Sequence, residues 1–219
     1  MKTLLLGLVT AFGLTTTAAA QVSEIRAGVH QHDIEIFGLG GKKGKETSAA
    51  LNAEIIFEEP EFLKWALSPQ PYIGGSINLE GNTSYGGAGL MWRQTFGDKF
   101  YFDFGFGLVA HDGTKEVELP SYFQDPAIVA ALNGTVSITD AQLARIRSEN
   151  IPYLEQLNSE IEFGSSILFR EAFTFGLRVS DNWATEVYFE HLSHGNILVQ
   201  GKPNEGLDVV GGRLSYRFD

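Results

Sequence analysis

Alternation of apolar and polar residues with a period of two, repeated along most of the chain, is the feature that most limits its fold. In residues 100–109 every even position is Phe or Leu, whereas the odd positions carry Tyr, Asp, Gly and Val. A period of two places alternate side chains on opposite faces of an extended strand, and it does not suit a helix. The pattern recurs in eight segments, which begin near residues 25, 49, 73, 88, 100, 161, 183 and 207. The sequence therefore predicts an all-β protein with eight strands.

The composition of the two strand faces favours a membrane barrel over a soluble sandwich. One face is rich in Phe, as a lipid-facing wall would be, and the other carries Gly and charged residues in nearly every strand. An eight-stranded barrel has an interior just wide enough for side chains, which small residues and paired charges can fill. We therefore predict an eight-stranded antiparallel transmembrane β-barrel. The charged residues predicted to fill its interior are Arg26, Glu54, Arg93, Asp103, Arg170, Arg178, Glu186 and Arg213.

The N-terminal residues have the pattern of a secretory signal peptide. Lys2 gives a positive start, Leu4–Gly13 form a short apolar stretch, and Ala18–Ala20 supply small residues for cleavage before Gln21. The predicted organisation is thus a signal peptide over residues 1–20 and one barrel domain over residues 21–219. No run of 18 apolar residues follows the signal, so the sequence predicts no transmembrane helix.

Charge and cysteine content exclude several classes of partner. The chain has 27 acidic residues against 16 basic ones, a balance that argues against nucleic acid as a partner. It has no cysteine, which removes disulfides and thiolate metal sites. His30 and His32 are two residues apart, but no further ligands accompany them in the sequence, so no metal site is predicted.

The connections between the predicted strands differ in length at the two ends of the barrel. Residues 96–98 and 180–182 form short turns, and residues 58–68 form a longer one in which Pro60 ends the strand. This asymmetry matches the short periplasmic turns and longer extracellular loops of outer-membrane barrels. The predicted extracellular connections are residues 33–46, 81–83, 112–160 and 194–206.

The longest connection, about residues 112–160, is predicted to be partly helical. Thr139 and Gln142 have the spacing of a capping box at the start of a helix. Pro126–Leu132 suits a further helical turn or two, with the proline in the first turn, where it is tolerated. We expect a small helical cap over the barrel mouth, with a substrate lid as the alternative.

Two polar residues on the predicted lipid-facing side of the seventh strand suggest chemistry. His191 and Ser193 share that face near the end of the strand, where polar groups are costly unless they have a function. A spacing of two places them about 6–7 Å apart along the strand, and a histidine base can activate a serine. Glu190 points to the lumen, whereas Glu205 precedes the neighbouring strand, so Glu205 is preferred as the acid that orients the histidine. From spacing alone, a polar strand end that leaves the membrane, without chemistry, is the preferred explanation of the pattern.

The C-terminal part of the chain resembles the lipid A 3-O-deacylase family, often called PagL. The resemblance covers roughly the last 40 residues and rests on Asn182-Trp183, Phe189–Asn196, Lys202–Asp208 and Arg213–Phe218. It implies an eight-stranded barrel in the outer membrane that removes the 3-linked hydroxyacyl chain of lipid A. It also implies a Ser-His-Glu triad on the outer surface, no cofactor, and lipid A or lipopolysaccharide as the substrate.

The resemblance assigns roles to individual positions. Ser193 would be the nucleophile, His191 the general base and Glu205 the orienting acid. The family usually has Asn directly after the serine, whereas this chain has His194. The donors of the oxyanion hole are therefore left open among three candidates, any of which could present an N–H to the developing oxyanion. These candidates are Gly195, Asn196 and Asn204.

Other interpretations of the lysine-rich run and of the function of the barrel remain open. Lys42, Lys43 and Lys45 could contact the phosphates of lipid A, although a glycine- and lysine-rich run of this kind is usually a solvated loop, and it lacks the spacing of a Walker motif. A non-enzymatic, OmpA-like structural or adhesive barrel explains the strands and loops equally well. A lipid A acyltransferase also uses Ser and His. A homodimer within the outer membrane stays open as a partner.

Overall fold

A closed antiparallel β-barrel is the architecture of the computed structural model, which describes residues 21–34 and 44–218. Each strand pairs with its neighbour in the chain, and the eighth pairs with the first to close the barrel, which confirms the predicted fold class. The predicted signal peptide, Lys42 and Lys43 lie outside the described residues. The strands are β1 (Val22–His32), β2 (Ser48–Phe57), β3 (Gln70–Asn78), β4 (Tyr85–Phe96), β5 (Phe100–His111), β6 (Ile167–Arg178), β7 (Trp183–Ser193) and β8 (Leu207–Arg217).

The two faces of the barrel wall are the reverse of those in a water-soluble protein. Val29, Ile77 and Val187 are 57%, 67% and 61% exposed on the outer surface, whereas Arg26 and Glu54 are buried in the lumen. The strand register keeps this separation, because residues paired across neighbouring strands point to the same face. An apolar wall around a polar interior is the arrangement that a bilayer stabilises.

The charged residues predicted for the barrel interior form ion pairs with one another, except for Arg178, which donates to the backbone carbonyl of Asp98. Arg26 donates to Glu24 and to Asp103, both at 2.5 Å, and Nε of Arg170 donates to Glu190 at 2.9 Å. Opposite charges at such distances offset the cost of removing each group from water. Further ion pairs join Arg93 to Glu24 and Asp103, and Arg213 to Glu54 and Glu186.

This network leaves almost no empty space in the lumen. The cavity beside Arg26, Tyr72 and Arg170 has a volume of about 10 Å³, which is room for about one water molecule. Within the described part of the chain, the lumen is therefore too full to hold a lipid. A site that acts on lipid has to lie on the outer wall or among the loops.

Aromatic side chains gather at the end of the barrel that carries the short turns. The ring of Tyr216 lies 5.0 Å from that of Trp183 and 5.1 Å from that of Phe218, measured between centroids. Trp65, in the 3₁₀ helix Glu61–Ala66 between β2 and β3, is exposed at the same end. Outer-membrane barrels carry such aromatic girdles where the wall meets the lipid headgroups.

The longest connection, between β5 and β6, contains the predicted helices. After a 3₁₀ helix, Ser121–Gln124, come α1 (Pro126–Leu132) and α2 (Asp140–Ser159). Thr139 and Gln142 form the predicted capping box, so the prediction of a partly helical loop is confirmed. Among the described helices, none combines the length and the apolar character needed to cross a bilayer.

The start of the sixth strand differs from the prediction. Alternation placed Ile161 and Phe163 in the strand, but β6 begins only at Ile167. Both side chains are fully buried at the barrel mouth, where they pack with Leu192 and Leu207. The prediction was wrong because an apolar alternation has the same appearance whether it faces lipid or covers the mouth of the barrel.

Candidate active site

The candidate site lies on the lipid-facing side of the barrel, near the end that carries the long loops. His191 stands two residues before the end of β7. In the strand register, His191 is paired with Glu171 on β6 and with Asp208 on β8. Paired residues share a face of the sheet. The three ionisable side chains therefore form one row across three neighbouring strands.

A hydrogen bond fixes the ring of His191. Its Nδ1 lies 2.5 Å from Oδ1 of Asp208, and the Asp208 side chain is fully buried. A carboxylate that accepts from Nδ1–H selects the tautomer in which Nε2 is free to act as a base. The arrangement thus supplies a histidine that is held and polarised from one side.

Ser193 and His191 meet at Gly206, the residue before β8. A Cβ atom on Gly206 would lie 3.2 Å from Cε1 of His191 and 3.7 Å from Cβ of Ser193. Both predicted catalytic side chains therefore border the small space that this glycine leaves open. Gly206 also has a φ of +69°, a backbone conformation that glycine adopts without strain.

Glu205 has a different partner from the one expected. Its carboxylate accepts from Nζ of Lys45 at 2.5 and 2.7 Å and from the backbone N–H of Glu162 at 2.9 Å. Lys45 also donates to the carbonyl of Glu160 at 3.0 Å. Glu205 thus joins three loops at the barrel mouth, whereas the carboxylate bonded to His191 is that of Asp208.

The sequence contained a signal that pointed to Asp208. In β8 the residues at even positions face outward, and Asp208 begins that series, ahead of Val210 and Leu214. Glu205 lies outside the strand, where alternation no longer determines the direction of a side chain. The expected partnership of Glu205 and His191 is therefore replaced by a direct cross-strand pair.

Lys45 is also placed differently from the expectation that it contacts lipid A phosphates. Its side chain is only 3% exposed, and its ammonium group is held by Glu205. A lysine that is buried and paired in this way is not presented to an external phosphate.

The three candidate oxyanion donors lie in or next to the turn after Ser193. The backbone N–H of Asn196 donates to Nδ1 of His194 at 3.1 Å, so Nε2 of His194 carries the proton and donates to the carbonyl of Pro203 at 2.9 Å. The backbone N–H of His194 donates to Oδ1 of Asn204 at 3.1 Å. Because Oδ1 accepts this bond, the Nδ2 group of Asn204 is a separate donor on the same planar amide.

These contacts separate the three candidates. The N–H of Asn196 is used inside the turn by His194. Gly195, with a φ of +59°, lies in the turn that follows Ser193, and Asn204 is hydrogen-bonded to that turn through its Oδ1. The arrangement therefore favours Gly195 and Asn204 over the backbone of Asn196 as donors to an oxyanion.

A buried carboxylate at the barrel mouth holds the long loop above the site. Burial alone would raise the pKa of Glu46, but the ring of His32 at 3.5 Å and the backbone N–H groups of Thr83 and Ile161 at 2.9 and 3.1 Å hold that pKa below its usual value. Glu46 is therefore ionised, and it connects the first three loops at the end of the barrel that carries the long loops.

No cluster of three or more histidine and acidic side chains suited to a metal ion occurs in residues 21–34 and 44–218.

Comparisons with known proteins agree with this architecture. A family model described as lipid A 3-O-deacylase (PagL) matches residues 58–217. The crystal structure of the outer-membrane enzyme PagL aligns over 90% of this chain and 100% of its own, with a TM-score of 0.53 and 11% identity. No curated protein matches.

Two further barrels align with lower TM-scores. Neisserial surface protein A aligns over 92% of this chain and 100% of its own, with a TM-score of 0.48 and 9% identity. A designed transmembrane β-barrel aligns over 90% and 97%, with a TM-score of 0.45 and 8% identity. The family match covers most of the chain and includes the row of ionisable residues. The chain therefore belongs to the lipid A 3-O-deacylase family and is a β-barrel of the outer membrane.

Proposed function

We propose that the protein is an esterase that hydrolyses the 3-O-linked hydroxyacyl chain of lipid A, with Ser193 as nucleophile, His191 as general base and Asp208 as orienting acid. The observation that carries the proposal is the hydrogen bond between Asp208 and His191 on the lipid-facing wall, beside Ser193. Membership of the family supports the substrate class.

The position of the three residues suits a lipid substrate. Ionisable groups on a lipid-facing wall are costly and are kept where they serve a function. The packed lumen has no room for an acyl chain, whereas the outer wall beside His191 is in contact with lipid. An ester of the outer leaflet can therefore reach Ser193 by diffusion within the membrane.

The proposed reaction is an acyl transfer in two steps. His191 takes the proton of the Ser193 hydroxyl through Nε2 while the serine oxygen attacks the ester carbonyl carbon. The oxyanion that forms accepts hydrogen bonds from the N–H of Gly195 and from Nδ2 of Asn204. When the intermediate collapses, the sugar oxygen leaves and takes the proton back from His191.

The second step restores the enzyme. His191 removes a proton from water, the water oxygen attacks the acyl–serine ester, and the fatty acid leaves while Ser193 regains its proton. Asp208 keeps Nδ1 of His191 in place in both steps and stabilises the ring while it is protonated. The scheme balances without a cofactor.

Mass spectrometry of lipid A tests the proposal. Refolded protein in mixed lipid A and phospholipid vesicles is compared with Ser193→Ala, and folding of both is checked by the heat-dependent mobility of the barrel in gels. We expect the wild type to remove one hydroxyacyl chain and the variant to remove none. Equal loss with both proteins would exclude Ser193 as the nucleophile.

Two other results would replace the proposal with an alternative function. A gain of an acyl chain, with phospholipid as donor, would make the protein an acyltransferase. An unchanged lipid A with the folded wild type, over a range of lipid A forms, would leave a structural or adhesive barrel.

A further inference from the structure

Glu171 is an acid on the lipid-facing wall to which the proposed reaction assigns no role. In the eight described strands, the outward-facing positions carry three acidic or histidine side chains, and all three lie in one row. Two of them, His191 and Asp208, belong to the proposed catalytic group. The third, Glu171, is paired with His191 from the other neighbouring strand, β6.

The surroundings of Glu171 are apolar. Phe169 and Phe173 flank it on the same face of β6, Phe106 is its cross-strand neighbour on β5, and the rings of Phe106 and Phe169 lie 5.6 Å apart. Oε2 of Glu171 is buried without a hydrogen-bond partner. A carboxyl group in such a place lowers stability, so its presence calls for a functional explanation.

The charge of Glu171 can stabilise a positive charge on His191, its cross-strand partner on β7. Glu171 and His191 are directly opposite each other in the β6–β7 register, which places their Cβ atoms about 4.5–5.5 Å apart. Since β6 and β8 flank β7 on opposite sides, Glu171 and Asp208 lie on opposite sides of His191 in the sheet. The acidic groups that face His191 are Glu171 on β6 and Asp208 on β8. Glu205 precedes β8, and its charge is offset by the ion pair with Lys45.

We propose that Glu171 is a positioning residue that acts through His191 as a second carboxylate, stabilising the protonated ring formed when Ser193 gives up its proton. This inference rests on the proposed esterase function. Asp208 holds Nδ1 by a hydrogen bond, whereas Glu171 acts through its charge. In surroundings poor in water a neighbouring charge has a far larger effect than it has in solution.

The charge of Glu171 should affect how the rate depends on pH. A histidine base is inactive once its ring is protonated, so the rate falls on the acid side of the pH profile. A negative charge beside the ring stabilises the protonated form. Removal of that charge should therefore move the acid limb of the profile to lower pH and reduce the rate on the plateau, because the ring becomes a weaker base.

The decisive experiment compares Glu171→Gln with wild type and with Glu58→Gln. The last variant is the matched control, because Glu58 lies at the opposite end of the barrel, just after β2. For Glu171→Gln we expect kcat to fall about tenfold, equivalent to about 1.4 kcal/mol, with KM unchanged and the acid limb at lower pH. Glu171→Asp, which keeps the charge, should recover most of the rate and the wild-type limb.

The outcomes separate this inference from the proposed function. If folded wild type and Glu58→Gln have no esterase activity, the proposed function fails, and the inference fails with it. If both are active and Glu171→Gln keeps the wild-type kcat and acid limb, only the role of Glu171 is overturned. A rise in KM at constant kcat would overturn it too, since Glu171 would then contact the substrate. Should Glu171→Gln fail to fold, Glu171→Ser is a second neutral variant with the same expected results.

Discussion

The lumen and the outer wall of this barrel differ in whether their charged side chains are paired with opposite charges. In the lumen, Arg26, Arg170 and Arg213 each contact at least two carboxylates, and the charges largely cancel. On the outer wall, Glu171 and Asp208 flank one histidine, and no arginine or lysine of the described strands stands in that row. Charges that cancel hold strands together, whereas an excess of negative charge beside a base favours the transfer of a proton.

This contrast predicts two classes of variant. Changes in the lumen network should alter the free energy of unfolding and leave the rate per folded molecule unchanged. Changes in the outer row should alter the rate and leave the free energy of unfolding nearly unchanged, or raise it, since a lipid-facing wall is more stable without charge.

The largest effect is expected on the outer wall. Asp208→Asn should lower kcat by about 10⁴-fold, because an amide cannot hold the histidine in the productive tautomer. Glu205→Gln should lower it less than tenfold, because Glu205 is bonded to Lys45 and Glu162. Steady-state hydrolysis of a lipid A ester measures both. A larger loss in Glu205→Gln than in Asp208→Asn would return the role of acid to Glu205, as the sequence resemblance implies.

The next largest effect is expected in the lumen. Arg170→Met removes the ion pair of the buried Glu190 and one of the cations that contact Glu54, so it should lower the free energy of unfolding by about 3–5 kcal/mol. Urea unfolding in lipid vesicles measures the change. Arg145→Met is the matched control, since it breaks exposed pairs with Asp125 and Glu149 and should change nothing measurable. Equal stability of wild type and Arg170→Met would contradict the view that the network holds the barrel together.

The smallest effect concerns Glu46, where the lumen meets the loops. Glu46→Gln should lower the free energy of unfolding by about 2 kcal/mol at neutral pH, the usual contribution of a hydrogen bond to a charged group. Because the folded protein lowers the pKa of Glu46, this contribution is present above the ordinary carboxyl pKa. It disappears as the pH falls through the lowered value. Wild type and variant should therefore converge in acid, and a difference that persists there would assign the effect to something other than the charge.

Most of the architecture could be predicted from alternation alone. Residues 100–109 indicate their two faces directly, and the charges on the lumen side indicate an interior filled by ion pairs. Local capping chemistry also predicted the helices of the long loop, since Thr139 and Gln142 bond within four residues of each other. Such features depend on neighbours in sequence, or on a period, and the sequence displays both.

The features that were missed depend on contacts between distant residues. The sequence placed His191 and Ser193 on one face, but the acid that reaches the ring is set by the register of β7 against β8, which pairs His191 with Asp208. Lys45 and Glu205 are far apart in the chain, and their ion pair arises only when the loops close over the mouth. Ile161 was misplaced for a related reason, since a buried mouth and a lipid-facing wall require the same apolar side chains.

The filled lumen has a consequence for the membrane itself. With room for about one water molecule between the paired charges, the described residues leave no open channel beside Arg26 and Arg170 for ions and nutrients. We therefore expect many copies to be compatible with an intact permeability barrier, and single-channel recording in a planar bilayer should be silent. Hydrolysis of lipid A on the outer wall would thus leave the permeability of the barrel unchanged, because permeability depends on the packing of the lumen.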